Sequence, residues 1–285
     1  HGADAAVKVA RASYLAGCDS TSNVLAGHLY GIPLAGTMAH SWVQAHATEI
    51  DAFRAFARTW PSTVLLVDTY DTLAGVREVV RLARELGPDF HVRAVRLDSG
   101  DLLELSKAAR RILDEAGLPQ VGIFASGGLD ERAVDRLVRA GAPIGGFGVG
   151  TSMGVSDDAP ALDVAYKLVS YDGRERLKLS TGKELWPGPK QVLRVERGGK
   201  AERDVLARRG EELAGRPLLV PAMRGGRRLP GPTLAEARQH ARRERERLPE
   251  RLLSLGPADP PYPVEPSHGL RALRDRLAAE HPAGS

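Results

Sequence analysis

Four apolar, β-branched runs recur between residues 64 and 150, separated by polar or glycine turns and amphipathic stretches. The runs are Val64–Asp68, Val92–Asp98, Val121–Ser126 and Ile144–Gly150. Their first residues lie 28, 29 and 23 positions apart, which is the length of a strand, a crossover helix and their turns. This spacing predicts an α/β fold built on parallel strands.

Polar side chains and glycines stand at the end of every predicted strand. They are Asp68, Asp98, Ser126 with Gly127 and Gly128, and Gly150 with Thr151. In α/β barrels and in open parallel sheets, ligands bind at the carboxyl ends of the strands. We therefore expect residues from distant parts of the sequence to meet at one binding face.

The segments outside this series predict further helices and a small β-rich region. Helical patterns cover Ala5 to Ala16, Asn23 to Tyr30, His40 to His46, Thr233 to Leu248 and Ser267 to Glu280. The apolar segment Ile32–Gly36 is expected to begin a buried strand. The short runs Ala165–Val169 and Arg176–Ser180, on either side of the turn Tyr171–Gly173, predict a hairpin. Residues 185–220, rich in Pro, Gly and charge, suit a β-rich appendage. We expect a parallel βα core over residues 1–180, which is either a barrel or an open sheet, and an appendage over residues 181–285.

The composition is that of a soluble globular protein, with 42% hydrophobic and 27% charged residues. The single cysteine, Cys18, excludes an internal disulfide and a zinc site built from several thiolates, and it favours a reducing compartment. No run is long and apolar enough to span a membrane, and residues 1–8 lack the pattern of a signal peptide. We therefore expect a cytoplasmic protein.

The net charge of +4 is unevenly distributed along the chain. Residues 1–170 carry 16 basic and 20 acidic side chains, whereas residues 171–285 carry 24 and 16. A basic half can bind nucleic acid or guide an anionic substrate. Its charges alternate in sign, however, as in Arg242–Arg247, and no aromatic platform accompanies them. We interpret this run as a solvated helix face and expect no nucleic-acid partner.

The segment Gly36–Trp42 places a hydroxyl and a histidine together at the start of a predicted helix. Backbone N–H groups at a helix start attract anions, so His40 could hold or accept a phosphate beside Thr37. The alternative is structural: Thr37 caps the helix, and His40 is a half-buried side chain with satisfied hydrogen bonds.

Arg96 and Asp98 are two residues apart on a predicted strand, so their side chains should point to the same side. The planar guanidinium of Arg96 suits a carboxylate ligand, and the carboxylate of Asp98 suits a ribose diol. An internal salt bridge between the two residues is the alternative.

Two glycine-rich turns, Ser126–Asp130 and Gly146–Thr151, follow predicted strands. Glycines let the backbone approach a phosphate closely, and the backbone N–H groups can bond to its oxygens. Neither turn matches a P-loop or a dinucleotide fingerprint, so a sugar phosphate is favoured over a nucleotide triphosphate held by a P-loop. The acidic turn Asp68–Thr72 could position Mg²⁺ or a phosphate-bearing ligand, or it could cap a helix.

Six motifs in this order resemble the nicotinate phosphoribosyltransferase family. They are Asp19–Gly27, Gly36–Ser41, Asp68–Thr72, Arg96–Asp101, Ser126–Asp130 and Gly148–Thr151. The hairpin up to Ser180 also resembles the family, and the match becomes loose beyond it. The family makes nicotinate mononucleotide from nicotinate and phosphoribosyl pyrophosphate with the help of ATP. The resemblance therefore implies this NAD-salvage reaction, of the ATP-coupled ligase type, and an irregular parallel βα barrel.

The resemblance also implies roles for individual residues. His40 would be phosphorylated transiently by ATP, and Asp98 would meet the ribose or the pyridine. Thr37 and Arg96 would contact nicotinate. The residues implied for phosphoribosyl pyrophosphate are Ser126, Gly127, Gly128, Gly148, Gly150 and Thr151. ATP would be a co-substrate, Mg²⁺ or Mn²⁺ the metal cofactor, and a homodimer the assembly.

By the same resemblance, this chain lacks the family's N-terminal region, which contributes a small domain, part of the barrel closure and a substrate-stacking tyrosine. Missing strands would leave open sheet edges and an incomplete pocket. Two alternatives to the nicotinate enzyme stay open. One is a sister phosphoribosyltransferase for nicotinamide or quinolinate, against which the carboxylate preference of Arg96 and the phosphorylatable His40 argue together. The other is a non-catalytic remnant that binds sugar phosphates.

Overall fold

The computed structural model describes residues 2–156, 159–162, 164–180, 182 and 185–280. The chain divides into two compact units, one formed by residues 1–14 and 18–161, the other by residues 15–17 and 162–285. The division into a core and an appendage at residue 180 stays a prediction. Over the described residues, no helix combines the length and the apolar character needed to cross a membrane.

A parallel sheet forms the centre of the first unit, with the strand order β1-β2-β3-β4. The strands are β1 (Val64–Leu66), β2 (Ala94–Leu97), β3 (Gly122–Ala125) and β4 (Gly146–Phe147). The helices are α1 (Ala3–Ala16), α2 (Val24–Tyr30), α3 (His40–Gln44), α4 (Glu49–Thr59), α5 (Thr72–Leu86), α6 (Leu102–Glu115), α7 (Glu131–Arg139) and α8 (Thr151–Val155), with a 3-10 turn at Gly87–Asp89. The predicted α/β class and parallel βα series are confirmed.

Aspartates at the ends of the β–α turns start the helices of the series. Asp71 accepts a hydrogen bond from the backbone N–H of Ala74 at the start of α5, and Asp101 accepts from the backbone N–H groups of Leu103 and Glu104 at the start of α6. These side chains satisfy N–H groups that a helix start leaves unpaired. Each helix therefore begins directly beyond a strand end and leaves the turn before it at the sheet edge.

The core of the first unit lies between the sheet and the apolar faces of its helices. Its fully buried side chains include Phe53, Leu65, Leu66, Val76, Val79, Val95, Leu97 and Leu113. The predicted apolar stripes of α5 and α6 contribute to this core, because residues three and four apart share one helix face. The packed core fixes the strands, and with them the turns at their carboxyl ends.

The prediction that Ile32–Gly36 begins a buried strand is wrong. In the part of the chain that the structure describes, this segment makes one isolated parallel bridge, between Thr21 and Leu34. Pro33 has no N–H group with which to extend a ladder, and Leu34 is 54% exposed. The helix predicted to reach His46 is also shorter and ends at Gln44.

The second unit contains the predicted β-rich region and the two C-terminal helices. The strands are β5 (Ser170–Tyr171), β6 (Arg174–Glu175), β7 (Lys190–Arg197), β8 (Lys200–Arg208), β9 (Arg216–Pro217), β10 (Met223–Arg224), β11 (Arg227–Arg228) and β12 (Val264–Pro266); the helices are α9 (Leu234–Glu246) and α10 (His268–Ala279), with a 3-10 turn at Glu250–Leu252. The main sheet has the order β12-β8-β7-β9. A hairpin is confirmed at the predicted turn: β5 and β6 pair around Asp172 and Gly173, whose φ angles of 49° and 69° suit a tight hairpin turn. Its strands lie between the two predicted runs, 165–169 and 176–180, and not within them.

Candidate functional site

The guanidinium of Arg96 organises a polar cluster at the carboxyl ends of β2 and β3. Its Nε donates to Oγ of Ser126 and its Nη2 to Oδ1 of Asp98, both at 2.7 Å. Its Nη1 donates to Oγ1 of Thr37 at 2.6 Å and to the carbonyl oxygen of Met38 at 3.4 Å. Arg96 and Asp98 point to the same side, as predicted, and the salt bridge of the alternative interpretation is formed. Side chains from three motifs therefore meet on one guanidinium, which we call the Arg96 cluster.

The carboxylate of Asp98 is held ionised within this cluster. Burial raises the pKa of Asp98, but the hydrogen bonds from Ser126 and Arg96 and the charges of Arg96 and His40 outweigh burial and lower this pKa below its usual value. The hydroxyl of Ser126 connects the two charged groups, because it accepts from Arg96 and donates to Asp98 Oδ1 at 2.5 Å. A fixed negative charge therefore stands beside a fixed positive charge at the strand ends.

The first residue of α3, His40, lies on the other side of Asp98. Its Nε2 is 3.7 Å from Oδ2 of Asp98, and its Nδ1 is 3.1 Å from Oγ1 of Thr69. The imidazole is 38% exposed. The alternative that Thr37 caps this helix is wrong: Ala39 occupies the cap position, and the Thr37 hydroxyl donates to the Met38 carbonyl and accepts from Arg96.

The acidic turn after β1 supports the site through Asp68. Oδ2 of Asp68 accepts hydrogen bonds from the backbone N–H of Asp98 (2.9 Å) and from Oγ of Ser99 (2.7 Å). Asp71 caps α5, as one of the two interpretations had it. These bonds use Oδ2 of Asp68 and Oδ1 of Asp71, and the magnesium interpretation of this turn stays a prediction. Across the described residues, no three His, Cys, Asp or Glu side chains are grouped to hold a metal ion.

The two glycine turns lie side by side. Gly127 and Gly128 have φ angles of 92° and 60°, and a Cβ at Gly127 would overlap the carbonyl oxygen of Asp98. A Cβ at Gly148 would lie 3.2 Å from Cβ of Ser126. The N–H group of Gly148 donates to the carbonyl oxygen of Ala125, so this glycine offers space rather than a free donor. Gly150 and Thr151 follow it at the start of α8.

Three contacts of this site were not predicted from the sequence. Thr69 bonds to His40, and Asp68 holds both Ser99 and the backbone of Asp98. The sequence does indicate that Asp68–Thr72 lie near the site, because this segment directly follows a predicted strand. Which partners they would meet depends on the packing of β1 beside β2, which spacing along the chain does not specify.

The chain is thus an α/β protein with a parallel sheet and a cluster of charged and polar side chains at the carboxyl ends of its strands. Residues 4–173 match the sequence profile of the nicotinate phosphoribosyltransferase (NAPRTase) family. This match covers more than half of the chain. The chain belongs to the nicotinate phosphoribosyltransferase family, as its six motifs predicted.

Curated relatives and solved structures agree with this membership. The chain is 57% identical over 282 residues to nicotinate phosphoribosyltransferase pncB2 of Mycobacterium tuberculosis, covering 98% of this chain and 59% of that protein. It is 45% identical over 202 residues to the nicotinate phosphoribosyltransferase of Bacillus subtilis, covering 68% of this chain and 41% of that protein. The chain therefore spans less than two thirds of the length of these relatives.

The crystal structure of human nicotinic acid phosphoribosyltransferase superimposes with a TM-score of 0.81 at 27% identity, covering 98% of this chain and 68% of that one. The nicotinate-nucleotide pyrophosphorylase of Pyrococcus furiosus superimposes with a TM-score of 0.73 at 28% identity, covering 87% and 63%. The chain therefore shares its fold with two solved proteins whose names refer to nicotinic acid or to its nucleotide.

Proposed function

We propose that this chain carries the reaction centre of a nicotinate phosphoribosyltransferase. In this reaction the pyridine nitrogen of nicotinate bonds to C1 of the ribose of phosphoribosyl pyrophosphate, and the bond from C1 to pyrophosphate breaks. The observation that carries the proposal is the Arg96 cluster at the strand ends of a chain in this family. The names of the relatives from Mycobacterium tuberculosis and Bacillus subtilis support the same substrate.

The charges of the Arg96 cluster suit both reactants. The guanidinium of Arg96 matches the carboxylate of nicotinate, and Thr37 supplies a hydroxyl beside it. As the bond to pyrophosphate breaks, the ribose gains positive charge, and the ionised carboxylate of Asp98 can stabilise it. An amide substrate such as nicotinamide would bring no negative charge to Arg96, which favours nicotinate over it.

The geometry of His40 supports a transient phosphohistidine formed from ATP. A hydrogen bond from the Nδ1–H group to Oγ1 of Thr69 would fix the tautomer in which Nε2 carries the lone pair. Nε2 would then attack the γ-phosphate of ATP, and ADP would leave. Asp98, 3.7 Å from Nε2, faces the same nitrogen.

The glycine turns would hold the phosphate end of phosphoribosyl pyrophosphate. The positive φ angles of Gly127 and Gly128 open the turn after β3, and Ser126, Gly148, Gly150 and Thr151 line the neighbouring positions. Mg²⁺ or Mn²⁺ would be supplied together with phosphoribosyl pyrophosphate, whose oxygens suit a hard divalent cation.

The assembly and the compartment belong to the same proposal. We expect the parallel sheet of the first unit to be part of an irregular βα barrel in the whole family fold, and the active form to be a cytoplasmic homodimer. The TM-score of 0.81 with the human enzyme supports the barrel. In that arrangement the sheet edges at β1 and β4 would be the places where further strands pair.

The test is the formation of nicotinate mononucleotide by the purified 285-residue chain from nicotinate, phosphoribosyl pyrophosphate and Mg²⁺, with and without ATP. Product would support the transfer reaction by this chain, and a yield increased by ATP would support its coupling to ATP. His40→Ala should leave the fold intact and remove the stimulation by ATP. Equal use of ATP by this variant would contradict the phosphohistidine.

The outcomes also separate the alternatives. Nicotinamide or quinolinate turned over faster than nicotinate would identify a sister enzyme. Binding of phosphoribosyl pyrophosphate without product, for this chain and for a full-length relative carrying the same site residues, would exclude the transfer reaction itself. Binding without product for this chain alone would mark it as an incomplete enzyme.

A further inference from the structure

The hydroxyl group of Ser126 lies between the two charged side chains of the Arg96 cluster. Its Oγ accepts a hydrogen bond from Nε of Arg96 at 2.7 Å and donates one to Oδ1 of Asp98 at 2.5 Å. Nη2 of Arg96 donates to the same Oδ1 at 2.7 Å. The three side chains therefore close a ring of hydrogen bonds. Ser126 is the buried member of this ring, whereas Arg96 and Asp98 are half-buried.

Ser126 has no hydrogen atom left to donate to a substrate. A serine offers two donors, the backbone N–H group and the hydroxyl. The backbone N–H of Ser126 donates to the carbonyl oxygen of Leu97. The hydroxyl donates to Asp98, because an ionised carboxylate can only accept. A phosphate oxygen, which needs a donor, would have to take the hydroxyl away from Asp98.

The two glycines that follow Ser126 are better placed to meet a phosphate. Gly127 and Gly128 are exposed, and their backbone N–H groups donate to no backbone carbonyl of a described residue. Free backbone donors in a glycine turn are the groups that bind phosphate oxygens. The phosphate contacts proposed for this turn therefore suit the glycines, whereas the buried serine acts on its protein partners.

Ser126 and Asp98 together occupy one edge of the Arg96 guanidinium. The Nε–H group and one N–H group of Nη2 point to the same edge of this planar fork, and these atoms donate to Ser126 and Asp98. The outer edge lies between Nη2 and Nη1, which donates to Thr37. A second N–H group of Nη2 is there without an acceptor among the described residues. A carboxylate ligand is thus directed to the outer edge.

We propose that Ser126 is a positioning residue that determines specificity: its hydroxyl fixes the plane of the Arg96 guanidinium so that the outer edge receives the carboxylate of nicotinate. The inference rests on the proposed function, because it concerns the same site. Without the hydroxyl, the Nε–H group loses its buried acceptor, and the guanidinium turns toward another one. Nicotinate then loses the charge-matched fork that distinguishes it from an uncharged amide.

The first test compares substrate binding by the wild-type chain and by Ser126→Ala, which removes only the hydroxyl. Titration calorimetry should show that nicotinate binds roughly tenfold more weakly to the variant, about the effect of one hydrogen bond to a charged group. The affinity for phosphoribosyl pyrophosphate should change much less. An unchanged affinity for nicotinate, or a loss confined to phosphoribosyl pyrophosphate, overturns the proposal.

Ser106→Ala is the matched control for this comparison. Ser106 is fully buried, like Ser126, but its hydroxyl donates to the carbonyl oxygen of Leu103 on α6. This variant should keep the wild-type affinity for both substrates. Ser126→Cys separates hydrogen bonding from packing, because a thiol fills the space of the hydroxyl but is a weak donor and acceptor. It should behave like Ser126→Ala, and wild-type affinities in Ser126→Cys would show that packing orients Arg96, which overturns the role of the hydroxyl.

The second test needs no ligand, because it observes the Arg96 guanidinium directly. In the wild type, the Nε–H signal of Arg96 in a ¹⁵N spectrum should be protected from exchange with water, since its acceptor Ser126 is buried. The signal is assigned by its absence in Arg96→Lys. Ser126→Ala should increase the exchange rate severalfold, and Ser106→Ala should not. Equal protection in Ser126→Ala overturns the positioning role.

The two tests also distinguish this inference from the proposed function. A wild-type chain that binds neither nicotinate nor phosphoribosyl pyrophosphate would count against the proposed function. The exchange of the Arg96 Nε–H group would still decide whether Ser126 positions the guanidinium. Conversely, a chain that binds both substrates and keeps the wild-type exchange rate in Ser126→Ala would retain the proposed function and lose the inference about Ser126.

Discussion

At the scale of single residues, the hydrogen bonds of Arg96 limit how it can bind a ligand. A guanidinium has five N–H groups, and four of those of Arg96 donate to Ser126, Thr37, the Met38 carbonyl and Asp98. Among the described residues, one N–H group of Nη2 is left without an acceptor. A carboxylate that binds with both oxygens must therefore displace a weak partner, and the 3.4 Å bond to the Met38 carbonyl is the longest of the four.

Replacement of Arg96 by lysine tests this arrangement. Lysine keeps the charge but loses the planar fork, so we expect Arg96→Lys to weaken nicotinate binding about 10- to 100-fold, the range for a charged hydrogen bond or two. Affinity for phosphoribosyl pyrophosphate should change much less. Titration calorimetry with each substrate measures both effects. Arg139→Lys, at an exposed ion pair of α7, is the control, and an equal loss for both substrates would argue against a carboxylate contact.

At this scale, the sequence predicts contacts between residues close together in the chain and misses contacts between residues far apart in it. The two-residue spacing of Arg96 and Asp98 is enough to place them on one side of a strand, and the structure pairs them at 2.7 Å. The bridge through Ser126 and the support from Asp68 link residues 28 to 31 positions apart. Such contacts depend on how neighbouring strands are aligned. A single sequence therefore predicts that these residues lie at the same edge of the sheet, but not which hydrogen bonds they form.

At the scale of elements, the turn after β3 shows why glycine is needed at one position. Gly127 combines a φ of 92° with a position at which any Cβ would overlap the Asp98 carbonyl oxygen. Gly128, with a φ of 60°, has open space around the same point. Gly127 therefore allows the turn after β3 to lie close to the end of β2. Gly128 is favoured only because the backbone there has a positive φ angle.

Alanine at these two positions should separate the two effects. Gly128→Ala should cost about 1 kcal/mol of the free energy of unfolding, the cost of a left-handed conformation for a residue with a Cβ. Gly127→Ala should cost clearly more, because the Asp98 turn must also move. Urea unfolding of both variants measures the difference. Equal losses would show that the close approach to Asp98 does not constrain the turn.

The elements themselves were predicted with uneven success. The βα series and the starts of its helices follow from apolar periodicity and capping aspartates, which are local signals. The strands are shorter than the apolar runs, and β4 comprises only Gly146–Phe147 of the predicted Ile144–Gly150. Gly146 lies in the ladder opposite Phe124, whereas Gly150 already belongs to the turn that begins α8. In Ile32–Gly36, apolar character predicts a strand, but among the described residues this segment makes only the isolated bridge between Thr21 and Leu34.

At the scale of the whole molecule, several of the basic residues after position 170 form ion pairs within the second unit, although the net positive charge of this region remains. Arg194 forms two 2.9 Å bonds to Asp204, and Glu244 accepts from Arg194 and Arg216. Further arginines pair with acids in the same unit: Arg197, Arg208, Arg242 and Arg247. Nucleic-acid binding is driven by Lys and Arg side chains that contact phosphates and release the counterions of the nucleic acid. Arginines already paired with carboxylates of the same protein are less able to make such contacts.

We therefore expect the chain to bind nucleic acid no more tightly than an ordinary basic surface does, with a dissociation constant weaker than about 10⁻⁶ M at physiological salt. Fluorescence anisotropy of a labelled single-stranded oligonucleotide, titrated with the 285-residue chain at several salt concentrations, measures this. Glu246→Gln removes the exposed partner of Arg242 on α9, and it should strengthen the binding seen at low salt and steepen its salt dependence. Tight binding by the wild type at physiological salt would contradict this, because it would mean that the arginines of the second unit remain available to phosphates despite their ion pairs.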